Sequence, residues 1–271
     1  MSISFWTDAL ISDLGRRGAD HLAELSSTLL DILLPPTCLL CGDGIERGDL
    51  CIDCEVSLCG SWPALVVPCQ FCGMPRSKLP VPPFDQPCGG CPAKPYPFKS
   101  VTPMGIYQGA VREAVIATKR AAHGALASSL GVRLGKLIQR TDFVDQIDCV
   151  TFVPTHRWRR MIRGGPSGAQ RMAISVGKVI KVPIIESLTT TRWVAKQSLL
   201  ADEKRELNVR GAFRIKRSYA WQRSLNLRDQ HILLVDDVLT TGATAKESTS
   251  VLMQAGAASV RLAVIARAVK R

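Results

Sequence analysis

The amino-acid sequence predicts an α/β fold, a mostly parallel, doubly wound sheet, preceded by a small cysteine-rich metal module. Two observations carry the sheet. From residue 148 onward, strand-like and helix-like segments alternate at the spacing of crossover units. The stretches "DCVTFVP", "HILLVDDV" and "SVRLAVIARAV" read as strands built from aliphatic runs, as a buried sheet requires. The module rests on the cysteines, nine of ten lying between Cys38 and Cys91. Without an export signal, that density points to metal rather than disulfides.

Three segments follow in order. Residues 1–34 read as one or two amphipathic helices, with Leu22, Leu25, Leu29, Leu30 and Leu33 at helical spacing, and Pro35-Pro36 ends them. Residues 35–97 hold the cysteines among prolines and glycines, with too few periodic runs to bury much core unaided. Residues 98–271 form the larger domain. There the spacing predicts helices within 109–139, a strand at 148–154, a helix at 167–180, a strand from His231, a helix over 243–256 with Gly256 at its C-cap, and a final strand from Ser259.

Composition narrows the function classes. No run of 18 uninterrupted apolar residues occurs, so no membrane span is expected. Asp8, Asp13 and Asp20 stand where a secretory signal would place a basic head and an apolar stretch, so the cytoplasm is the expected compartment. The net charge is +12, yet residues 1–100 carry a net of −4 and residues 101–271 a net of +16. A basic C-terminal part attracts phosphates or nucleic acid, and equally serves solubility.

Eight cysteines form four pairs: Cys38 and Cys41, Cys51 and Cys54, Cys69 and Cys72, Cys88 and Cys91. A two-residue gap lets both thiolates of a tight turn face one ion, and four thiolates complete a tetrahedral shell for zinc. Two structural sites follow, with Zn2+ expected and iron the other ion such a shell holds. Consecutive pairs can share a metal, or the first pair can share one with the third. Gly42 and Gly73 follow the second cysteine of their pairs, where backbone N–H groups can approach the sulfurs. Cys59 and Cys149 are left over and read as inert buried thiols.

"HILLVDDVLTTGAT" carries the chemistry. Its aliphatics would bury a strand, bringing Asp236 and Asp237 out at the carboxyl edge of the sheet, where ligands bind in open α/β folds. Adjacent carboxylates suit the vicinal hydroxyls of a ribose. Thr240, Thr241, Gly242, Ala243 and Thr244 make a small-residue loop whose amides can turn inward, opening a helix whose positive end favours an anion. A ribose held above a phosphate fits this pattern. Paired acids that merely cap a helix, or the acid pair of a phosphoacceptor domain, would not need that loop.

The thirteen positions from Ile232 to Thr244 resemble the phosphoribosyl-diphosphate (PRPP) motif of type I phosphoribosyltransferases. With four Cys-x-x-Cys pairs ahead of it, the chain resembles the ComF family from Leu33 onward. That family joins a double zinc ribbon to a C-terminal phosphoribosyltransferase domain and is associated with DNA uptake in competent bacteria. "AVREAVIATKR" is similar to the family's helix ending in a lysine, here Lys119. "TTTRWVAKQSLLADEKRELNVRGAF" is similar to its segment through Arg192, Gln197, Leu199, Arg205, Asn208, Ala212 and Phe213. "VPTHRWRRMIRGG" is similar to its first strand and loop. The chain departs from the family at "RGGPSGAQRMA", which lacks an aromatic and an Asn, and at "RAAHG" after Lys119.

The resemblance implies a type I phosphoribosyltransferase fold that binds PRPP with Mg2+, a nitrogenous base displacing diphosphate from the ribose. It makes Asp236 and Asp237 the catalytic pair on the ribose hydroxyls and residues 240–244 the cradle of the 5-phosphate. Thr155, His156 and Arg157 would meet the diphosphate. Arg192 and Gln197 would belong to a hood over 192–213. A homodimer is a further expectation. The rival function is non-catalytic: "RWRRMIR" interleaves Trp158 with arginines as a single-stranded DNA surface would, and the partners would then be DNA and competence-machinery proteins.

Overall fold

Four successive aliphatics, Ile232 to Val235, need cover on both faces, and the computed structural model supplies it: all four are buried in a parallel sheet with helices on either side. Residues 35–60, 62, 66–77, 86–120, 124–155, 165–192, 209–216 and 226–269 are described. The expected helices of 1–34 lie outside them. The chain divides into two compact units, one ending at Cys51 and the other running from Ile52 to Arg271.

In the first unit a bridge between Thr37 and Gly44 folds the chain back after Pro36. The second unit opens with helix α1 (Ile52–Cys59) and the short antiparallel pair β1 (Val66–Pro68) and β2 (Pro75–Ser77). Its main sheet holds β3 (Val101–Ile106), β4 (Cys149–Phe152), β7 (His231–Leu239) and β8 (Ser259–Arg267) in the order β3-β8-β7-β4, each neighbour parallel. Outside β4 the chain at Ile184 adds a single parallel bridge to Val150. A separate hairpin pairs β5 (Leu188–Thr190) with β6 (Phe213–Ile215).

The crossovers are helices α2 (Gly109–Thr118), α3 (Gly124–Ile138), α4 (Gly168–Ile180) and α5 (Ala243–Gln254). Side chains alternate across a strand, so the sheet offers two apolar faces. Ile232, Leu234, Val260, Leu262 and Val264 join Ala245 and Leu252 of α5 and Leu188, Ala212 and Phe213 of the hairpin in one core. Helices α2, α3 and α4 pack on the sheet as well. In α3, Leu126, Leu130, Leu134 and Ile138 recur at helical spacing and are fully buried. α4 starts where the Ser167 hydroxyl accepts from the Gln170 N–H and stops at left-handed Lys181, the Val182 N–H returning to the Gly177 carbonyl. The two helices approach closely at Gly131, where a Cβ would sit 2.6 Å from the Met172 carbonyl oxygen.

The expected stretch 109–139 is two helices, because α2 is capped at Lys119 and α3 begins afresh at Gly124. The final strand and the helix before it fall where the spacing places them, with Gly256 at φ +97 just past the C-cap Ala255. α1 is fixed to α3 by Arg133, whose Nε donates to both Glu55 oxygens at 2.9–3.0 Å. No described helix is long and apolar enough to cross a membrane.

Candidate functional site

Strand β7 carries both acids and continues to Leu239, one residue beyond the expected "HILLVDDV". Its neighbour β8 runs beside it as far as the pair Leu239–Arg267 and holds it extended. On the opposite flank, β4 stops at the pair Phe152–Val235, and the Val153 N–H makes a last bond to the Val235 carbonyl at 3.0 Å. Among the described residues Asp236 is therefore the first of β7 with an open flank, and Thr155 leaves the sheet beside it. His156 and Arg157 lie outside the described residues.

The Asp237 carboxylate lies 3.2 Å from Lys119 Nζ, which the end of α2 delivers to the site. The Asp236 carboxylate accepts the Asp237 N–H at 2.8 Å. Burial, and next the charge of Asp237, push the Asp236 carboxyl well above the ordinary range; the Asp237 N–H and Lys119 pull the other way without prevailing.

Beyond Leu239 the chain turns through Thr240 and Thr241 to Gly242, the N-cap of α5, at φ +83. That left-handed geometry suits glycine, and space excludes anything larger: a Cβ there would lie 2.6 Å from Tyr96 Cε1. Thr241 Oγ1 accepts loosely from the Ala243 N–H at 3.4 Å, and the Gly242 carbonyl accepts from the Lys246 N–H at 2.7 Å. Ala243 and Thr244 form the first turn of α5. A loop of small residues thus opens a helix beside two acids on a sheet edge, a geometry that accepts a phosphate at the helix start and hydroxyls at the acids.

The stem of the expected hood is described and its tip is not. Thr191 Oγ1 donates to the Gly211 carbonyl at 2.7 Å and Arg192 Nη2 to the Arg210 carbonyl at 3.0 Å, so Arg192 closes the stem. The Gly211 N–H donates to Glu247 Oε1 on α5 at 2.6 Å. Gln197 lies outside the described residues.

The cysteines settle into two clusters of consecutive pairs, Cys38, Cys41, Cys51 and Cys54, then Cys69, Cys72, Cys88 and Cys91, with the sulfurs of each within 4.8 Å of one another. The crossed pairing is thereby excluded. Separations such as 3.7 Å between Cys41 and Cys51 and 3.8 Å between Cys69 and Cys91 match the edge of about 3.8 Å that a tetrahedron with 2.3 Å Zn–S bonds requires. The donor sets therefore fit zinc. Gly42 and Gly73 take positive φ in their turns, and their own N–H groups go to the Cys38 and Cys69 carbonyls, while the N–H groups of Asp43 and Met74 just after them reach Cys41 and Cys72 as expected. Burial would raise Cys38 and Cys69, but N–H donors outweigh it, Cys41, Cys51 and Leu40 taking Cys38 down to about 6 and Phe71, Cys88 and Cys72 taking Cys69 down to about 7.

Of the leftover thiols, Cys149 is buried, and burial pushes it up to about 11. Cys59 is exposed, contrary to expectation, because α1 buries only Leu58.

Three residues at the site were not among the sequence candidates. Lys119 was marked only by resemblance. Tyr96 and Arg267 back the loop at 239–242 and carry no local signal.

Residues 170–271 match the family model described as a phosphoribosyl transferase domain. The chain is 27% identical over 203 residues to the DNA utilization protein YhgH of Escherichia coli strain K12, a match covering 73% of this chain and 83% of that protein. The protein of the same name from Salmonella typhimurium is 26% identical over 205 residues, with the same coverage of both chains. Among solved structures, the Bacillus subtilis glutamine PRPP amidotransferase complexed with ADP and GMP is 22% identical with a TM-score of 0.33; the match takes in 51% of this chain and only 26% of that longer one.

Proposed function

We propose that this ComF-family chain, with two four-cysteine clusters ahead of its C-terminal phosphoribosyltransferase domain, binds PRPP with Mg2+ at the open flank of β7 and α5. One observation carries the reading: the β4 ladder stops at Val235, leaving Asp236 and Asp237 open beside a left-handed Gly242 that starts a helix. The segments 35–97 and 98–271 are then a zinc module and a phosphoribosyl domain.

In this reading residues 240–244 anchor the 5-phosphate through backbone amides and threonine hydroxyls. Asp236 and Asp237 accept from the ribose hydroxyls, and Lys119 holds Asp237 in place and adds positive charge. The loop from Thr155, with His156 and Arg157, meets the diphosphate, which Mg2+ neutralises when bound. The chemistry is displacement at ribose C1 with oxocarbenium character, for which a nitrogenous base is the acceptor class. Hood residues 192–213, with Arg192 in the stem and Gln197 beyond it, would exclude water. Zinc in the cysteine clusters is structural, since each shell is complete with four thiolates.

A thermal melt of the zinc-loaded protein tests the reading. At one hundred times Kd, PRPP with Mg2+ contributes about 2.7 kcal/mol, a rise of about 5–10 °C for a domain of this size. The rise should vanish when Mg2+ is omitted. An equal rise in Asp236→Asn/Asp237→Asn would refute it.

The relatives named for DNA utilization and the basic C-terminal part favour a second reading, in which the same domain handles single-stranded DNA. It requires DNA affinity that falls steeply with salt and drops when Arg157, Arg159 and Arg160 are neutralised. Salt-independent or absent DNA binding removes it.

A further inference from the structure

A loop that points its amides at a phosphate must turn its carbonyls away, and those carbonyls need donors behind them. Here three consecutive carbonyls find side-chain donors in two residues, the Leu239 carbonyl also accepting the Ala268 N–H at 3.0 Å. Arg267, the last residue of β8 and 6% exposed, donates from Nη1 to Leu239 at 2.8 Å and to Thr240. The Tyr96 hydroxyl donates to Thr241 at 3.2 Å. The Tyr96 ring lies against Gly242 and stacks on Phe98 at 4.7 Å between centroids.

Arg267 also contacts the second cysteine cluster, and Tyr96 follows that cluster closely in sequence; cluster and loop lie in the same compact unit. Arg267 Nε donates to the carbonyl of the cluster's own Cys72 at 2.7 Å, and its Cδ passes over Gly73, 3.3 Å from where a Cβ would be. Gly73 is thus kept small by the arginine stem as well as by its φ of +70. The Gln70 carbonyl accepts the Val101 N–H at 2.8 Å, fastening the Cys69–Cys72 turn to β3. Tyr96 follows Cys91 by five residues. Arg267's remaining partner, the Ala268 carbonyl at 2.9 Å, completes a set made wholly of backbone oxygens. A guanidinium so placed also suits a metal-filled four-thiolate shell, whose formal charge is about −2.

We infer that Arg267 and Tyr96 are positioning residues that couple metal in the Cys69, Cys72, Cys88 and Cys91 cluster to the shape of the phosphate loop. Filling the cluster holds the Cys72 carbonyl and the Tyr96 backbone in place. These fix the donors behind residues 239–241 and turn the loop's amides toward the ligand. Loss of that metal frees the donors and weakens phosphate binding. The first cluster has no such role. The inference rests on the phosphoribosyl reading and specifies what regulates it.

Linkage makes the coupling reciprocal: a ligand whose affinity rises with zinc must tighten zinc by the same factor. The test uses the full chain carrying two zinc ions, ribose 5-phosphate as ligand and a chromogenic chelator in competition for the metal. Saturating ribose 5-phosphate is expected to tighten one zinc about three- to tenfold, the scale of one or two hydrogen bonds, and leave the other unchanged. Arg267→Lys, which keeps the charge and loses the fork, should abolish that protection. Tyr96→Phe, which keeps the ring and loses one donor, should reduce ribose 5-phosphate affinity about threefold with both zinc ions retained. Zinc affinity insensitive to the ligand at both sites, or unchanged protection in Arg267→Lys, overturns the coupling. A wild type that binds neither ribose 5-phosphate nor PRPP overturns the phosphoribosyl reading and this inference with it.

Discussion

Gly242→Ala is expected to destabilise the protein by about 2–3 kcal/mol and to weaken PRPP binding more than about tenfold. Two costs add. A left-handed backbone costs an L-residue about 1–2 kcal/mol, and Gly242 sits at φ +83. The new Cβ would also fall 2.6 Å from Tyr96 Cε1 and 3.1 Å from Cζ, so the ring or the loop must move. Movement of the ring takes the Tyr96 hydroxyl off the Thr241 carbonyl. Gly211→Ala separates the costs, because Gly211 has φ +67 with nothing within 4 Å of its Cβ position. It should lose only the backbone share, about 1–2 kcal/mol, measured by urea unfolding. Equal losses in the two variants would mean that Tyr96 does not brace the loop.

Asp236→Asn is expected to stabilise the ligand-free protein at neutral pH while removing PRPP binding. The folded state raises this carboxyl, so it holds its proton over a range where the unfolded chain, at about 3.9, has released it. Stability from this group is therefore intact below about pH 3.9 and is lost as pH rises through the folded value, the reverse of a salt-bridged carboxylate. Asparagine cannot titrate, so the stability difference between variant and wild type should open above about pH 4 and grow until Asp236 is ionised. A difference that shrinks as pH rises would reverse the sign and exclude a raised carboxyl. A ligand that needs this group ionised must also release a proton on binding, seen as a binding heat that changes with buffer ionisation enthalpy.

How much of this was legible in the sequence follows from the range of each interaction. The cysteine clusters announce themselves because only two residues separate the thiolates of each turn. Which pairs share a metal depended on the folded turns, and consecutive pairing emerged only there. The strand, acids and loop from His231 to Thr244 are local and were readable, with β7 reaching one residue further, to Leu239, because β8 accompanies it to Arg267. Strand β3 was not foreseen, since "VTPMGI" contains Pro103 and Gly105; it is tolerated at the end of the strand order, where a proline forfeits little pairing. Arg267 was illegible for the same reason on a larger scale. It meets Cys72 across 195 residues of chain, and nothing near it in sequence distinguishes it from other arginines.

The most direct test of the phosphoribosyl site is calorimetric titration of the zinc-loaded protein with PRPP and Mg2+, beside Asp236→Asn/Asp237→Asn. Saturable binding by the wild type, lost in the double variant with both zinc ions retained, is the expected result. No binding by either protein, or equal binding by both, would contradict a phosphoribosyl site at the open flank of β7.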